Sequence, residues 1–185
     1  CVSFSLLFFS LSLFGSEKKP NLILIMSDDM GYECVRANGG TSYQTPHLDQ
    51  LAKTGARFTH CYSQPLCTPS RVKIMTGISN ARNYVQFGVL DRKQTTFAHL
   101  LKKSGYATCI VGKWQLGGNA QTIDTFGFDE HCLWRISGAN EERYVSPTLL
   151  MNGKADTFPG QYGPDIQQAF ATDFILRHKA LPFFL

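Results

Sequence analysis

A cysteine stands at the start of a short segment that has the features of a helix N-terminus. In the run CTPSR, Cys67 lies where a cap is expected, and Pro69 suits the first turn, where its missing N–H is no loss. Gly77 then suits a helix stop. Unpaired N–H groups at such a start favour a bound anion, and Arg71 adds a rigid fork of donors suited to a tetrahedral oxyanion. The spacing leaves two interpretations open, a reactive thiol at an anion site or a buried structural cysteine before an ordinary helix.

The pattern C-x-P-S-R, followed after five residues by glycine, resembles the signature of the type I sulfatases. Its fixed positions are occupied by Cys67, Pro69, Ser70, Arg71 and Gly77. The resemblance runs from about Pro20 to the end of the chain. It implies that Cys67 is oxidised after synthesis to Cα-formylglycine by a formylglycine-generating enzyme. The hydrate of that aldehyde would be the nucleophile of a sulfuric ester hydrolase, with Cys67 and Arg71 as catalytic residues.

Two adjacent carboxylates follow an apolar run at residues 20–29 (PNLILIMSDD). A continuous Leu/Ile run predicts a strand buried on both faces of a parallel sheet, and Asp28 and Asp29 then fall at its carboxyl end, where α/β sheets place their sites. Neighbouring anions repel unless a cation lies between them, and hard oxygen ligands favour Ca²⁺ or Mg²⁺ over zinc. A solvated acidic loop is the alternative. The sulfatase resemblance implies that both aspartates, with the residue formed from Cys67, bind Ca²⁺ (Mg²⁺ is the second choice).

A second candidate site follows the predicted core strand at residues 106–112. Lys113 at the strand end could hold a sulfate oxygen as a point charge, although such a lysine is commonly just solvated. The run GKWQLG is similar to the second sulfatase signature, G-K-W-H-L-G, and Lys113 matches its sulfate-binding lysine. Gln115 stands where that motif has histidine. Because glutamine carries no proton at neutral pH, we expect Gln115 to bind substrate without an acid–base role.

Composition and punctuation indicate one globular α/β unit. The 185 residues are 43% hydrophobic and 17% charged, with a net charge of +4 and no Lys/Arg block, so nucleic-acid binding is not indicated. The resemblance implies an alkaline-phosphatase-like α/β/α sandwich with a mostly parallel central sheet, incomplete at the C-terminus. Capped helices are predicted at 45–55, 96–105 and 163–178, a strand and turn at 146–154, and a last apolar strand at 181–185.

The first residues resemble a targeting segment. Residues 4–14 form an apolar run of about eleven residues, whereas a membrane span needs ~20. Small and then polar residues follow, which predicts a signal peptide at 1–16, no stable membrane anchor and an exported protein, whether periplasmic, secreted or in a lysosome-like compartment. A buried strand or short core helix is the alternative. Export permits disulfides, but the spacing ranks no pairing, and Cys109 lies in the predicted core strand.

The last apolar strand stops within the region where sulfatases continue to further catalytic and metal-binding residues. We therefore expect residues 17–185 to be the N-terminal part of a catalytic domain and inactive alone. The expected substrate is a sulfate-ester small molecule or a sulfated glycan. Two alternatives stay open: a phosphatase or phosphonate-ester hydrolase on the same fold, and a non-catalytic remnant that binds an anion or glycan.

Overall fold

The computed structural model describes residues 18–134, 136 and 142–185. The predicted signal peptide at 1–16 lies outside the described residues. In the described part of the chain, no helix combines the length and apolar character needed to cross a membrane. Two short 3-10 turns (Tyr32–Cys34 and Arg36–Asn38) precede the regular elements. These elements are α1 (Pro46–Thr54), α2 (Cys67–Thr76), α3 (Asn80–Asn83), α4 (Phe97–Lys103), β1 (Ala107–Lys113), α5 (Ala120–Asp124), β2 (Glu130–Trp134), β3 (Thr148–Met151), β4 (Lys154–Thr157), α6 (Gly163–His178) and β5 (Phe183–Phe184).

The five strands form one open, mixed sheet in the order β4-β3-β2-β1-β5. The central strand β1 is parallel to both β2 and β5, while β3 pairs antiparallel with β2 and β4. The β3–β4 connection is the predicted Asn-Gly turn, in which Asn152 and Gly153 both have positive φ, of 46° and 88°. Lys113 on β1 lies opposite Trp134 on β2, so both parallel strands end at the same edge of the sheet.

Helices cover both faces of the sheet, which confirms the predicted sandwich. Consecutive strand residues point to opposite faces, and β1 shows this alternation. Ile110 packs with the cluster that holds Val72 of α2, whereas Cys109 and Val111 face Phe174 of α6. Phe174 is fully buried, and burial of a side chain of that size contributes about 2–3 kcal/mol. Burial also raises the pKa of the Cys109 thiol well above its ordinary value, so this residue is the core thiol that its strand predicts.

The predicted first strand is only partly confirmed. Backbone N–H groups of Leu22 and Leu24 donate to the carbonyls of Phe183 and Leu185 at 2.8 Å, which is the parallel pairing that the sequence predicts. The predicted burial on both faces is wrong, since Ile25 is 80% exposed. The segment is the outermost part of the described sheet, so its side chains line an open cavity instead of a packed core.

The helices begin and end close to the predicted residues. α1 starts at Pro46 and stops before Gly55, but its predicted apolar stripe is exposed, with Leu48 at 40% and Leu51 at 63%. That helix packs on the 3-10 turn at Arg36–Asn38 rather than on the sheet. The short helix α3 at Asn80–Asn83 was not predicted. Strand β2 was not predicted.

The turn at residues 127–129 ties β1 to its neighbours. The Asp129 carboxylate accepts from the backbone N–H and the hydroxyl of Thr108, both at 2.9 Å, and pairs with Lys102 at 2.5 Å. Burial alone raises the pKa of Asp129, but the hydrogen bonds from Lys102 and Thr108 outweigh it and hold that pKa below its ordinary value. The ionised carboxylate is therefore part of the folded structure.

We expect Asp129→Asn to lower the free energy of unfolding by about 1 kcal/mol at neutral pH, since both contacts are partly solvent-screened. A carboxyl group whose pKa is lowered by folding stabilises the folded state at pH values above the ordinary Asp pKa. That stabilisation is lost as the pH falls through the lowered pKa. The difference in the free energy of unfolding between Asp129→Asn and the unsubstituted protein should therefore shrink in acid. Urea unfolding at neutral pH and below the ordinary Asp pKa measures this, with Asp156→Asn, whose side chain is 42% exposed, as the matched control. An equal difference at both pH values would contradict the prediction.

Candidate active site

The structure brings Asp28 and Lys113 together at the carboxyl edge of the sheet. Nζ of Lys113 lies 2.5 Å from Oδ2 of Asp28, and the two side chains are 12% and 25% exposed. Asp28 follows the segment paired with β5, and Lys113 is the last residue of β1. Because these parallel segments run in one direction, their carboxyl ends place both groups at one edge.

Asp29 reaches the same cavity through an unusual backbone conformation. Consecutive side chains of an extended strand point to opposite faces, so Asp28 and Asp29 would diverge. Asp29 has a φ of 55°, in the left-handed region that Asp tolerates better than most residues. Both carboxylates line one cavity as a result.

Helix α2 begins at Cys67. The sequence predicted Cys67 as the residue that caps the helix, but the cap lies one residue earlier. Leu66 is the N-cap, and Gly77 closes the helix with a φ of 67° and an N–H donated to the carbonyl of Lys73 at 2.7 Å. Ser70 has a structural role: its hydroxyl accepts from the N–H of Gln64 and donates to the carbonyl of Leu66, both at 3.0 Å. These bonds fix the entry of the chain into α2 and thus the position of Cys67.

Gln115 is the direct partner of Cys67. The Cys67 thiol donates to Oε1 of Gln115 at 3.0 Å, and Gln115 is only 5% exposed. Gln115 has a φ of 48°, within a turn closed by the Trp114 indole N–H, which donates to the carbonyl of Gly117 at 2.8 Å. The neighbour of the thiol is therefore a buried amide that stays neutral across the pH range.

Arg71 links the two parts of the site. Its Nη1 donates to the carbonyl of Lys113 at 2.7 Å, while its buried Nε has no hydrogen-bond partner among the described residues. Desolvation lowers the pKa of Arg71, and the charges of Asp28 and Cys67 oppose that shift. Arg71 also lines the cavity, so an anion there would meet an unused guanidinium donor.

The cavity has a volume of about 900 Å³ and combines these charged groups with an apolar wall. Asp28, Asp29, Arg71 and Lys113 line it, whereas Cys67 and Gln115 are not among the lining residues. Sequence reasoning missed further lining residues, since none of them belongs to a motif. They are Trp134, Arg143, Tyr144 and Gln167.

The carboxylates of Asp28 and Asp29 could supply part of the ligand shell of a hard divalent cation. Asp28 and Asp29 offer adjacent carboxylates, the ligands that Ca²⁺ and Mg²⁺ prefer, and the cation now neutralising Asp28 is Lys113. Ca²⁺ takes roughly six to eight oxygen ligands, so other groups must complete its shell. Within the described ranges, no group of three or more His, Cys, Asp or Glu residues is arranged to hold a metal. The metal site stays a prediction.

Comparisons with known proteins agree on one family. The family model described as Sulfatase matches residues 20–185. Human arylsulfatase D is 36% identical over 165 residues, covering 82% of this chain and 26% of that protein. N-acetylglucosamine-6-O-sulfatase of Bacteroides thetaiotaomicron is 36% identical over 172 residues, covering 90% of this chain and 29% of that protein. The chain thus spans less than a third of the length of these curated relatives.

Solved structures give the same result. A structure of a protein in complex with its substrate D-glucosamine-2-N,6-O-disulfate aligns with a TM-score of 0.79 and 33% identity, covering 90% of this chain and 33% of that one. Ps i-CgsB in complex with k-i-k-neocarrahexaose aligns with a TM-score of 0.81 and 29% identity, covering 91% of this chain and 44% of that one.

We expect Arg71→Lys to weaken the binding of inorganic sulfate about tenfold, because lysine keeps the charge but loses the donor fork and the bond to the Lys113 carbonyl. Titration calorimetry with sodium sulfate measures the dissociation constant. Arg82→Lys, on the exposed face of α3, is the matched control and should bind sulfate like the unsubstituted protein. Equal affinities of all three proteins would remove Arg71 from the anion site.

Proposed function

Because this chain belongs to the sulfatase family, we propose that it supplies the nucleophile and part of the sulfate-binding site of a sulfuric ester hydrolase. The observation that carries the proposal is the position of Cys67 in the first turn of α2, with Arg71 linking it to Lys113 and Asp28. Fixed donors and a partly buried cation at one sheet edge suit an anionic ester and the charge that develops as it is cleaved.

Cys67 would be the site of maturation. A formylglycine-generating enzyme would oxidise the Cys67 side chain to a thioaldehyde, with dioxygen taking up the two electrons and two protons. Water would then replace the sulfur by oxygen, and the sulfur would leave as hydrogen sulfide. The aldehyde hydrate supplies an oxygen nucleophile for sulfur and a second hydroxyl whose deprotonation expels the sulfate afterwards. Gln115 is placed to orient the side chain at this position, since its carbonyl oxygen already accepts from Cys67.

Arg71 and Lys113 would hold the sulfate group. The Lys113 ammonium is a compact charge next to the cavity, and the unpaired Nε of Arg71 is a second donor to it. A sulfate oxygen would compete with Asp28 for Lys113. A cation bound to Asp28 and Asp29 would neutralise both carboxylates and so favour the contact between Lys113 and sulfate. We assign that cation as Ca²⁺, with Mg²⁺ as the second choice. When bound, it would stabilise negative charge on sulfate oxygens.

The substrate class proposed is a sulfated sugar. A glucosamine disulfate and a neocarrahexaose occur in the neighbouring structures, although the matched relatives also include arylsulfatases and steryl-sulfatases. We further propose export, based on the apolar run at residues 4–14, and a formylglycine-generating enzyme as the maturation partner.

Mass spectrometry of the peptide that contains Cys67 tests the nucleophile. On the product of the full gene, co-expressed with a formylglycine-generating enzyme, we expect the thiol to be converted to an aldehyde that reacts with hydrazide reagents. Cys67→Ala is the negative control. The converted protein should hydrolyse sulfate esters at least a hundredfold faster than matched phosphate monoesters. An unconverted thiol beside an active maturase would overturn the role of Cys67, and a preference for phosphate would favour the phosphatase alternative.

Calcium binding is tested by thermal unfolding, which needs no turnover. Because a ligand at about 100 times its dissociation constant stabilises by ~2.7 kcal/mol, saturating Ca²⁺ should raise the melting temperature by several degrees after chelation. Asp28→Asn and Asp29→Asn should each abolish most of that rise. Asp156→Asn, which removes a half-buried carboxylate on β4 far along the chain from the site, should keep it. A rise that survives both site substitutions would place the cation elsewhere.

A further inference from the structure

Arg143 is held between two aromatic rings at the wall of the cavity. Its Cζ lies 4.8 Å from the ring centroid of Trp134 and 4.7 Å from that of Tyr144. On β2, Trp134 is also the residue opposite Lys113, whose Nζ lies 5.9 Å from the same indole. One indole ring thus contacts both the cation proposed for the sulfate ester and a second cation. Cation–π contacts of this kind help to fix the guanidinium in place.

The backbone that carries Arg143 is fixed to the start of α6. The N–H of Gly163 donates to the carbonyl of Tyr144 at 2.7 Å, and Val145 forms an antiparallel bridge with Tyr162. A Cβ at position 163 would collide with the carbonyl oxygen of Arg143, which explains the glycine there. The rings of Tyr144 and Tyr162 stack at 6.0 Å and 15°. Arg143 therefore projects from an anchored segment.

A second, independent donor faces the same cavity from α6. Nε2 of Gln167 is buried and has no hydrogen-bond partner among the described residues. A buried donor left without a partner is destabilising, and an acceptor on a ligand would supply the missing hydrogen bond.

The charge of Arg143 is also available. The carboxylate of Glu142 accepts from the backbone N–H groups of Arg143 and Tyr144, at 2.9 and 2.7 Å. Across residues 18–134, 136 and 142–185, no ion pair joins the Arg143 guanidinium to a carboxylate. A guanidinium fork and an amide N–H on one wall form a donor set for a planar or tetrahedral anion.

We propose that Arg143 and Gln167 form a subsite for a second anionic substituent of the substrate, next to the sulfate ester held by Lys113 and Arg71. This inference rests on the proposed function. The ligand class is a sugar that carries the scissile sulfate and one further anionic group, either a sulfate or sulfamate on the same ring or a carboxylate on the next. Arg143 is thus a specificity-determining residue, and the indole of Trp134 lies within cation–π distance of both cations.

The test compares two substrates on the converted product of the full gene. Glucosamine-6-sulfate has one anionic group, and D-glucosamine-2-N,6-O-disulfate has two. We expect the ratio of kcat/KM, disulfated over monosulfated, to exceed one and to fall about tenfold in Arg143→Gln, mostly through KM. Gln167→Leu should lower the ratio in the same direction. Arg92→Gln, an exposed arginine that lines neither detected cavity, is the matched control and should leave the ratio unchanged.

The outcomes separate the two proposals. A ratio unaffected by Arg143→Gln, or a preference for the monosulfated sugar, overturns the subsite while leaving the hydrolase intact. If no sulfate ester is turned over, the proposed function fails, and calorimetric binding of the disulfated sugar then tests the subsite alone. If Arg143→Gln loses affinity for the disulfated sugar and Arg92→Gln keeps it, the result would still support the subsite. Equal affinity of both variants and the unsubstituted protein would overturn the subsite. A uronate-bearing monosulfated disaccharide, assayed alongside, shows whether the second anion is a carboxylate.

Discussion

The ion pair between Asp28 and Lys113 is the contact on which the site depends. It joins residues 85 positions apart and can form only after β1 and the 22–24 segment have aligned through β5. Arg71 then binds the carbonyl of Lys113 and so fixes helix α2 against the same sheet edge. Because every one of these contacts is long-range, the site is assembled by the sheet and not by any local segment. Its charges are therefore positioned by the fold before a ligand arrives.

Two residues next to the strand ends have a positive φ, a backbone conformation that residues other than glycine seldom adopt. Asp29 and Gln115 have φ values of 55° and 48°. Each conformation costs roughly 1–2 kcal/mol, and each redirects a polar side chain towards the cavity or towards Cys67. Such strain persists only where surrounding contacts fix it. The turn at Trp114 fixes Gln115, and the ion pair of the preceding Asp28 with Lys113 fixes the chain next to Asp29.

Local signals predicted much of the fold, and long-range burial was the part they missed. Proline and glycine marked the bounds of α1, because helix ends need residues with particular backbone properties. The exposure of Leu51 could not be predicted, since an apolar stripe shows that a helix has a face but not what covers it. Motifs predicted the residues at the sheet edge, yet the contact between Arg143 and Trp134 follows no spacing rule. It arises because the segment that carries Arg143 is bonded to the start of α6, a contact that only the folded chain shows.

Gln115 has a consequence for how this chain would tolerate the proposed modification of Cys67. An amide oxygen accepts from a thiol and from a hydroxyl with similar geometry, whereas its N–H₂ donates to an acceptor. The pocket around position 67 can therefore fold around a cysteine and later hold an aldehyde hydrate without repacking or a change of charge. Precursor and mature forms would share one architecture, and modification could change reactivity while leaving stability and shape the same. Because its neighbour Gln115 is neutral, residue 67 could change from a thiol to an aldehyde hydrate while the surrounding structure stays the same.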